Sequence, residues 1–246
     1  MTDVSINKAL HDVVARDGAR PLITQIWADG QRAELSCRTF ENNVAKAANL
    51  LQDDADAGPD SRVLIHLPVH WQTSVWLTAC AMVGTRVHVG NDAARETEDE
   101  LVAAFVDEPH AHEQFSYPTY VVSLHPLGLP SGEIPSGTID LAREVRGFSD
   151  VFAPYAAVDA QTPWLELGQE SIAQGEALDR AVELAHSLGL KENGRLLVTG
   201  GLTPATVLAL SALPLALNAS VVLCGDTSAD ADAIFRSERC TATLVG

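Results

Sequence analysis

The sequence predicts an α/β fold of mostly parallel sheets flanked by helices. Two observations carry that prediction. Strand-length apolar runs alternate with helix-length amphipathic ones along most of the 246 residues, the rhythm of parallel strands joined by crossover helices. The same rhythm restarts after a connector rich in proline and glycine, which predicts two lobes, residues 1–149 and 150–246, packed as one unit. The chain is long enough to bury such a core without disulfides or metals.

The elements follow in order. Val4, Ala9, Leu10, Val13 and Val14 recur at helical spacing up to Asp17 and Gly18, so an amphipathic helix opens the fold. Leu22 to Ala28 and Arg32 to Cys37 are strand-like runs around Asp29-Gly30, a dipeptide suited to the positive φ angles of a tight hairpin. With Ser36 or Thr39 as cap, Phe40, Val44, Ala47, Ala48 and Leu51 form the stripe of a second helix, which Gly58-Pro59 cannot continue. Arg62 to Leu67, Thr73 to Val83, Arg86 to Val89, Glu98 to Val106 and Thr119 to Leu124 then alternate as strand, helix, strand, helix and strand. His125 to Gly137 is a connector, and Ile139 to Val145 a short helix, with the lobe boundary near Ser149. The last part reads as strand Trp164 to Leu167, long helix Ile172 to Leu188, strand Arg195 to Val198, helix Ala205 to Leu217, strand Ser220 to Leu223, helix Asp230 to Ser237 and strand Thr241 to Val245. Pro214 predicts a kink or break in its helix.

Sixteen Lys and Arg against thirty-three Asp and Glu give a formal charge of −17, which repels phosphate backbones and anionic lipid, so nucleic acid is not an expected partner. Met1 to Asp17 mixes charges with apolar residues, unlike a signal peptide. Val207 to Cys224 is interrupted by Ser211, Pro214, Asn218 and Ser220, so no membrane span is expected. Cys37, Cys80, Cys224 and Cys240 lie far apart without metal or redox spacing and read as reduced residues of a cytoplasmic protein.

Few residues suggest chemistry. Val198-Thr199-Gly200-Gly201-Leu202-Thr203-Pro204 runs from a strand through two glycines into a helix capped by Thr203; Gly200, Gly201, Leu202 and Thr203 are ligand-binding candidates, because free amides at such a start hold anions. A tight strand-to-helix turn explains the glycines equally well, and the lysine and spacing of a phosphate-binding P-loop are absent. His110, His112 and Glu113 offer nitrogen and oxygen donors of the kind divalent metals take, although a solvated acidic turn accounts for them too. Pro68 separates His66 from His70 and prevents a shared helical face. Asp54-Ala55-Asp56-Ala57-Gly58 lacks the closing glutamate of a calcium loop. The nucleophile-elbow, dinucleotide and zinc-protease signatures G-x-S-x-G, G-x-G-x-x-G and H-E-x-x-H do not occur.

The run Leu35-Ser36-Cys37-Arg38-Thr39-Phe40, then Asp60-Ser61-Arg62-Val63-Leu64-Ile65-His66-Leu67-Pro68, then Ala79-Cys80-Ala81-Met82-Val83-Gly84-Thr85 resembles the opening of the AMP-forming acyl-CoA synthetases. Leu190-Lys191-Glu192-Asn193-Gly194-Arg195-Leu196-Leu197 and Leu215 to Leu223 resemble a later part of that adenylate-forming (AMP-binding) superfamily. Pro126-Leu127-Gly128 through Asp140-Leu141-Ala142-Arg143-Glu144-Val145-Arg146 further resembles a short actinobacterial group distantly similar to it. His110 to Phe152 has no clear counterpart.

The resemblance implies the N-terminal part of an adenylate-forming enzyme. It also implies a Ser/Thr/Gly-rich phosphate loop ending in Pro-Lys-Gly where this chain has Trp164-Leu165-Glu166-Leu167-Gly168-Gln169-Glu170-Ser171-Ile172. Glu166 and Glu170 stand where glycines and a lysine are expected, so a triphosphate meets negative charge and ATP activation is expected to fail. The quoted residues also stop short of the family's adenine-binding stretch, ribose-binding aspartate and C-terminal catalytic lysine. Gly200 to Thr203 fall where the family has a loop beside its acyl pocket. The expectation is a non-catalytic relative without cofactor, acting by binding another protein or itself as a homodimer. The alternatives are a small-molecule module with an acyl or nucleotide-like pocket at Gly200 to Thr203, and an enzyme of unrecognised chemistry using His110, His112 and Glu113.

Overall fold

A computed structural model describes residues 3–90, 101–113, 115–167 and 170–246. Helix α1 (Ile6–Asp17) starts at Ser5, whose side chain accepts the Lys8 N–H. Strands β1 (Pro21–Ile26) and β2 (Arg32–Ser36) form the expected antiparallel hairpin. Gly30 takes the positive φ of 82° that its turn requires. Ser36 rather than Thr39 caps α2 (Cys37–Asp53), so Cys37 is the first helical residue and not a strand end.

Next come β3 (Arg62–His66), α3 (Trp71–Val83) and β4 (Arg86–Val89). The helix expected over Glu98 to Val106 is instead strand β5 (Leu101–Asp107), paired in parallel with β3; Glu98 to Glu100 lie outside the described residues. A continuous apolar run suits a strand covered on both faces as well as it suits a buried helix. Strand β6 (Thr119–Val122) and the short β7 (Ile139–Asp140) extend the sheet, and only Leu141–Glu144 forms the α-helix α4.

Strand β8 (Pro163–Leu167) leads into β9 (Glu170–Ala173), antiparallel to it, so the long helix α5 (Gln174–Ser187) begins two residues later than Ile172. After β10 (Arg195–Thr199), the apolar stretch breaks at Ser211 and Ala212 into α6 (Pro204–Leu210) and α7 (Leu213–Ala216), with Pro214 in the first turn of α7. Strand β11 (Ser220–Cys224), helix α8 (Ala231–Ser237) and strand β12 (Ala242–Val245) complete the described chain. No helix among the described residues is long and apolar enough to cross a membrane.

These strands form a five-stranded sheet in the order β12-β10-β11-β1-β2 and a seven-stranded sheet in the order β7-β6-β5-β3-β4-β8-β9. All described pairings are parallel except the β1–β2 and β8–β9 hairpins. Each sheet takes strands from both sides of Ser149, so the expected lobe boundary does not coincide with a division between sheets.

Helix α3 lies between the sheets, against β1 of one and β3 and β4 of the other. Every residue from Gln72 to Val83 is buried. Gly84, with a φ of 88°, ends the helix. Two buried side chains from the far end of the seven-stranded sheet reach it: Trp164 Nε1 donates to the Leu77 carbonyl at 2.9 Å, and Gln174 Nε2 to the Ala81 carbonyl at 2.7 Å. Gln174 Oε1 also accepts the Ile6 N–H at 2.9 Å, tying the start of α1 to the end of α3. Trp76 stacks on Phe105 at 4.5 Å between ring centroids, and Phe105 on Tyr120 at 5.0 Å. Truncating the first ring removes both burial and stacking. Trp76→Ala should therefore lower stability in urea unfolding by about 3–5 kcal/mol, and Trp76→Phe by much less. A loss under about 1 kcal/mol for the alanine variant would contradict the role given to this ring column.

Candidate functional site

In open α/β sheets ligands collect at the carboxyl ends of parallel strands, where the strand order reverses. The loop from β3 into α3 brings the carboxyl ends of both sheets together. Gln25 Oε1, at the end of β1, accepts the Trp71 N–H at 3.2 Å. A Cβ on Gly225, just past β11, would meet the Val69 carbonyl oxygen at 3.0 Å. In the same loop His70 caps α3, its Nδ1 accepting the Gln72 N–H at 3.3 Å. Burial drives the His70 pKa down to about 3, against a partial opposing effect of the Leu124 backbone.

In the five-stranded sheet the order reverses at β10, between β11 and β12. Gly200 follows β10 with a φ of 84°, and a Cβ there would meet the Gly246 oxygen at 2.8 Å. The Gly246 N–H donates to the Thr199 carbonyl at 2.8 Å, so the terminal backbone lies directly against this turn. Thr203 caps α6 reciprocally with Thr206: Thr203 Oγ1 accepts the Thr206 N–H at 3.3 Å, and Thr206 Oγ1 accepts the Thr203 N–H at 2.6 Å. Pro204 supplies no N–H, so the start of α6 offers an anion few amides. Gly201 is exposed and Leu202 half-buried.

The seven-stranded sheet reverses between β3 and β5. Residues alternate between faces along a strand: Val63 and Ile65 join the main core, whereas Leu64 packs with Ala104, Val106 and Val121 on the other face. His66 continues the Leu64 row. The chain leaving β5 folds over this face, where Ala111 and Phe115 pack. Asp107 caps a 3₁₀ turn at Glu108–His110, accepting the His110 N–H at 3.3 Å, and its Oδ1 also contacts His110 Nδ1. The Glu113 N–H donates to the His110 carbonyl at 3.1 Å. One potential ligand atom from each of His66, His110 and Glu113 comes within 4.8 Å of the others, and the His66 and His110 rings are 4.0 Å apart.

Of the expected trio His110, His112 and Glu113, the structure brings His110 and Glu113 together with His66. His112 is exposed and outside the cluster, and His66 takes its place. In the turn Ala111 packs on the sheet face and His112 faces solvent, whereas His66 arrives from the end of a neighbouring strand. Glu108 and Pro109 also line a cleft of about 390 Å³ with Ser123, Leu124, His125, Pro130 and Gly132.

At the other end of this sheet, Leu167 pairs with Glu170, and Gly168 and Gln169, the two residues between them in sequence, lie outside the described residues. Glu166 is buried, 2.9 Å from Arg62, 3.8 Å from Arg86 and 3.5 Å from His88. Burial alone would raise its carboxyl pKa; the His88 hydrogen bond and the charges of Arg62 and Arg86 outweigh that and hold it below the ordinary range. Glu170 is exposed and paired with Arg180, which lowers its pKa. The two carboxylates expected to repel phosphate thus both sit on cations.

No protein-family model matches the chain. A TIGR03089 family protein of Mycobacterium tuberculosis (strain ATCC 25618 / H37Rv) is 37% identical over 158 residues, covering 62% of this chain and 64% of that protein. The acyl-CoA synthetase of Brucella canis superposes with a TM-score of 0.74 at 15% identity, over 99% of this chain and 47% of its own. The acetoacetyl-CoA synthetase of Streptomyces lividans gives 0.72 at 19% identity, over 99% and 42%. The chain thus spans under half the length of these synthetases and under two thirds of the mycobacterial relative. Its fold is that of the N-terminal part of the acyl-CoA synthetases, as expected, with an actinobacterial homologue.

The burial of His70 has a consequence in solution. The unfolded imidazole titrates near 6.5 and the folded one near 3, so the unfolded chain binds the extra proton between those values. Stability is then full above pH 6.5 and falls as pH drops, by about 1.4 kcal/mol per unit. Replacing His70 by Asn keeps a capping acceptor and should flatten thermal stability from pH 6.5 down to about pH 5; an unchanged slope would assign the proton elsewhere.

Proposed function

We propose that the chain is a non-catalytic AMP-binding-enzyme-like protein that uses the acyl-CoA synthetase fold for binding rather than for ATP-dependent activation. One observation carries the reading: the Leu167–Glu170 pair leaves two residues where the resemblance calls for a phosphate loop. A triphosphate is held by several converging amides and a cation, and a two-residue connection has too few. Nearby cations do not make good the loss, since Arg62 and Arg86 flank Glu166 and Arg180 is committed to Glu170 and Glu176. Titration calorimetry with Mg-ATP should give no binding tighter than about 1 mM, and ATP with assorted carboxylates no pyrophosphate. Saturable ATP binding in the micromolar range would overturn the reading.

The binding partner in this reading is another protein or a second copy of the chain. Leu127, Val151 and Tyr155, at 76%, 75% and 81% exposure, are large apolar side chains open to such a partner. A homodimer is the expected state by light scattering at micromolar concentration, and a monomer there would remove self-association. The four buried free thiols support a cytoplasmic setting. A ligand pocket at Gly200 to Thr203 has less support, because the Gly246 backbone lies against Gly200.

A further inference from the structure

We propose that His66, His110 and Glu113 bind one divalent transition-metal ion, of which zinc fits best. Two imidazoles and one carboxylate are a donor set that borderline-soft ions favour over calcium or magnesium, which prefer all-oxygen surroundings. The ligand atoms lie within 4.8 Å of one another. A tetrahedral ion with bonds near 2.0–2.1 Å needs them roughly 3.4 Å apart, a separation that small side-chain rotations reach from this starting arrangement.

Three further features fit this site. Asp107, 6% exposed, takes the Nδ1 side of His110, which leaves Nε2 as the nitrogen that meets the ion. A carboxylate fixing the tautomer of a ligating histidine is the usual outer-shell support of such sites. The ligands come from the end of β3 and the turn that follows β5, the two strands between which the seven-stranded sheet reverses, the place where ligands collect in open α/β sheets. Asp107, Glu108 and Glu113 add local negative charge in a chain of formal charge −17, which attracts a cation. Three protein ligands leave a fourth position for water.

The experiment uses the full chain stripped with EDTA and titrated with Co²⁺ and Zn²⁺. Expected are one equivalent bound, visible absorption bands of tetrahedral Co²⁺, and displacement of cobalt by zinc. His66→Ala and His110→Ala should abolish the bands. Asp107→Asn should weaken binding roughly 10- to 100-fold, and Glu113→Gln at least as much. His112→Ala should leave affinity unchanged, although it removes a histidine from the same turn. Circular dichroism checks each variant, and Glu113→Gln, a near-isosteric change in a half-buried turn, decides the matter if a histidine variant unfolds. Absence of tetrahedral bands, affinity insensitive to Glu113→Gln, or loss of binding in His112→Ala would overturn the proposal. None of these outcomes depends on whether the chain binds ATP.

Discussion

Burial of α3 on every side is the constraint from which the remaining architecture follows. A helix with no polar stripe is stable in water only if something covers its whole circumference. Here that cover is one sheet on each side, with neighbouring helices filling the flanks. Its backbone ends need partners too, and Gly84, Trp164 and Gln174 supply contacts at and near the carboxyl end. Because Trp164 and Gln174 flank the β8–β9 hairpin, the edge of the seven-stranded sheet is fastened to the middle of the molecule. That fastening also explains how strands from either side of Ser149 come to share sheets: both halves of the chain cover the same helix.

The amino end of α3 has a different consequence. His70 and Trp71 start the helix at the carboxyl ends of both sheets, so those ends converge on one loop instead of opening to opposite sides. A neutral His70 serves this arrangement better than a carboxylate would. Its Nδ1 accepts from the helix backbone, yet it carries no charge into a site that is almost wholly buried.

Much of this was legible in the sequence, and the failures have physical causes. Asp29-Gly30 announced its hairpin because only a positive φ closes such a turn, and Pro214 announced the break between α6 and α7. Glu98 to Val106 misled because continuous apolar residues carry no period, and a strand flanked by β3 and β6 is buried like a core helix. The β9 strand was missed because Glu170 and Ser171 are exposed and only Ile172 of its residues is fully buried, too little alternation to register. His66 was not grouped with His110 and Glu113 because a shared helix face was the wrong test. The relevant signal was a histidine ending one strand and a His/Glu turn following another, which meet only once the strand order is known.

The two places where strand order reverses are built differently. At the five-stranded sheet, the crevice beside β10 is closed by backbone: Gly200 and Gly246 pack so tightly that neither tolerates a side chain, and Thr203 and Thr206 satisfy each other. At the seven-stranded sheet, the corresponding position is lined by imidazole and carboxylate, with a cleft against the same turn. Glycine pairs read from sequence invite a ligand, but a close backbone approach explains them without one. His66, His110 and Glu113, each half-buried, are instead brought together from the end of one strand and the turn after another. The donors of the proposed ion site therefore stand beyond β3 and β5, whereas packing of backbone on backbone accounts for the glycine turn.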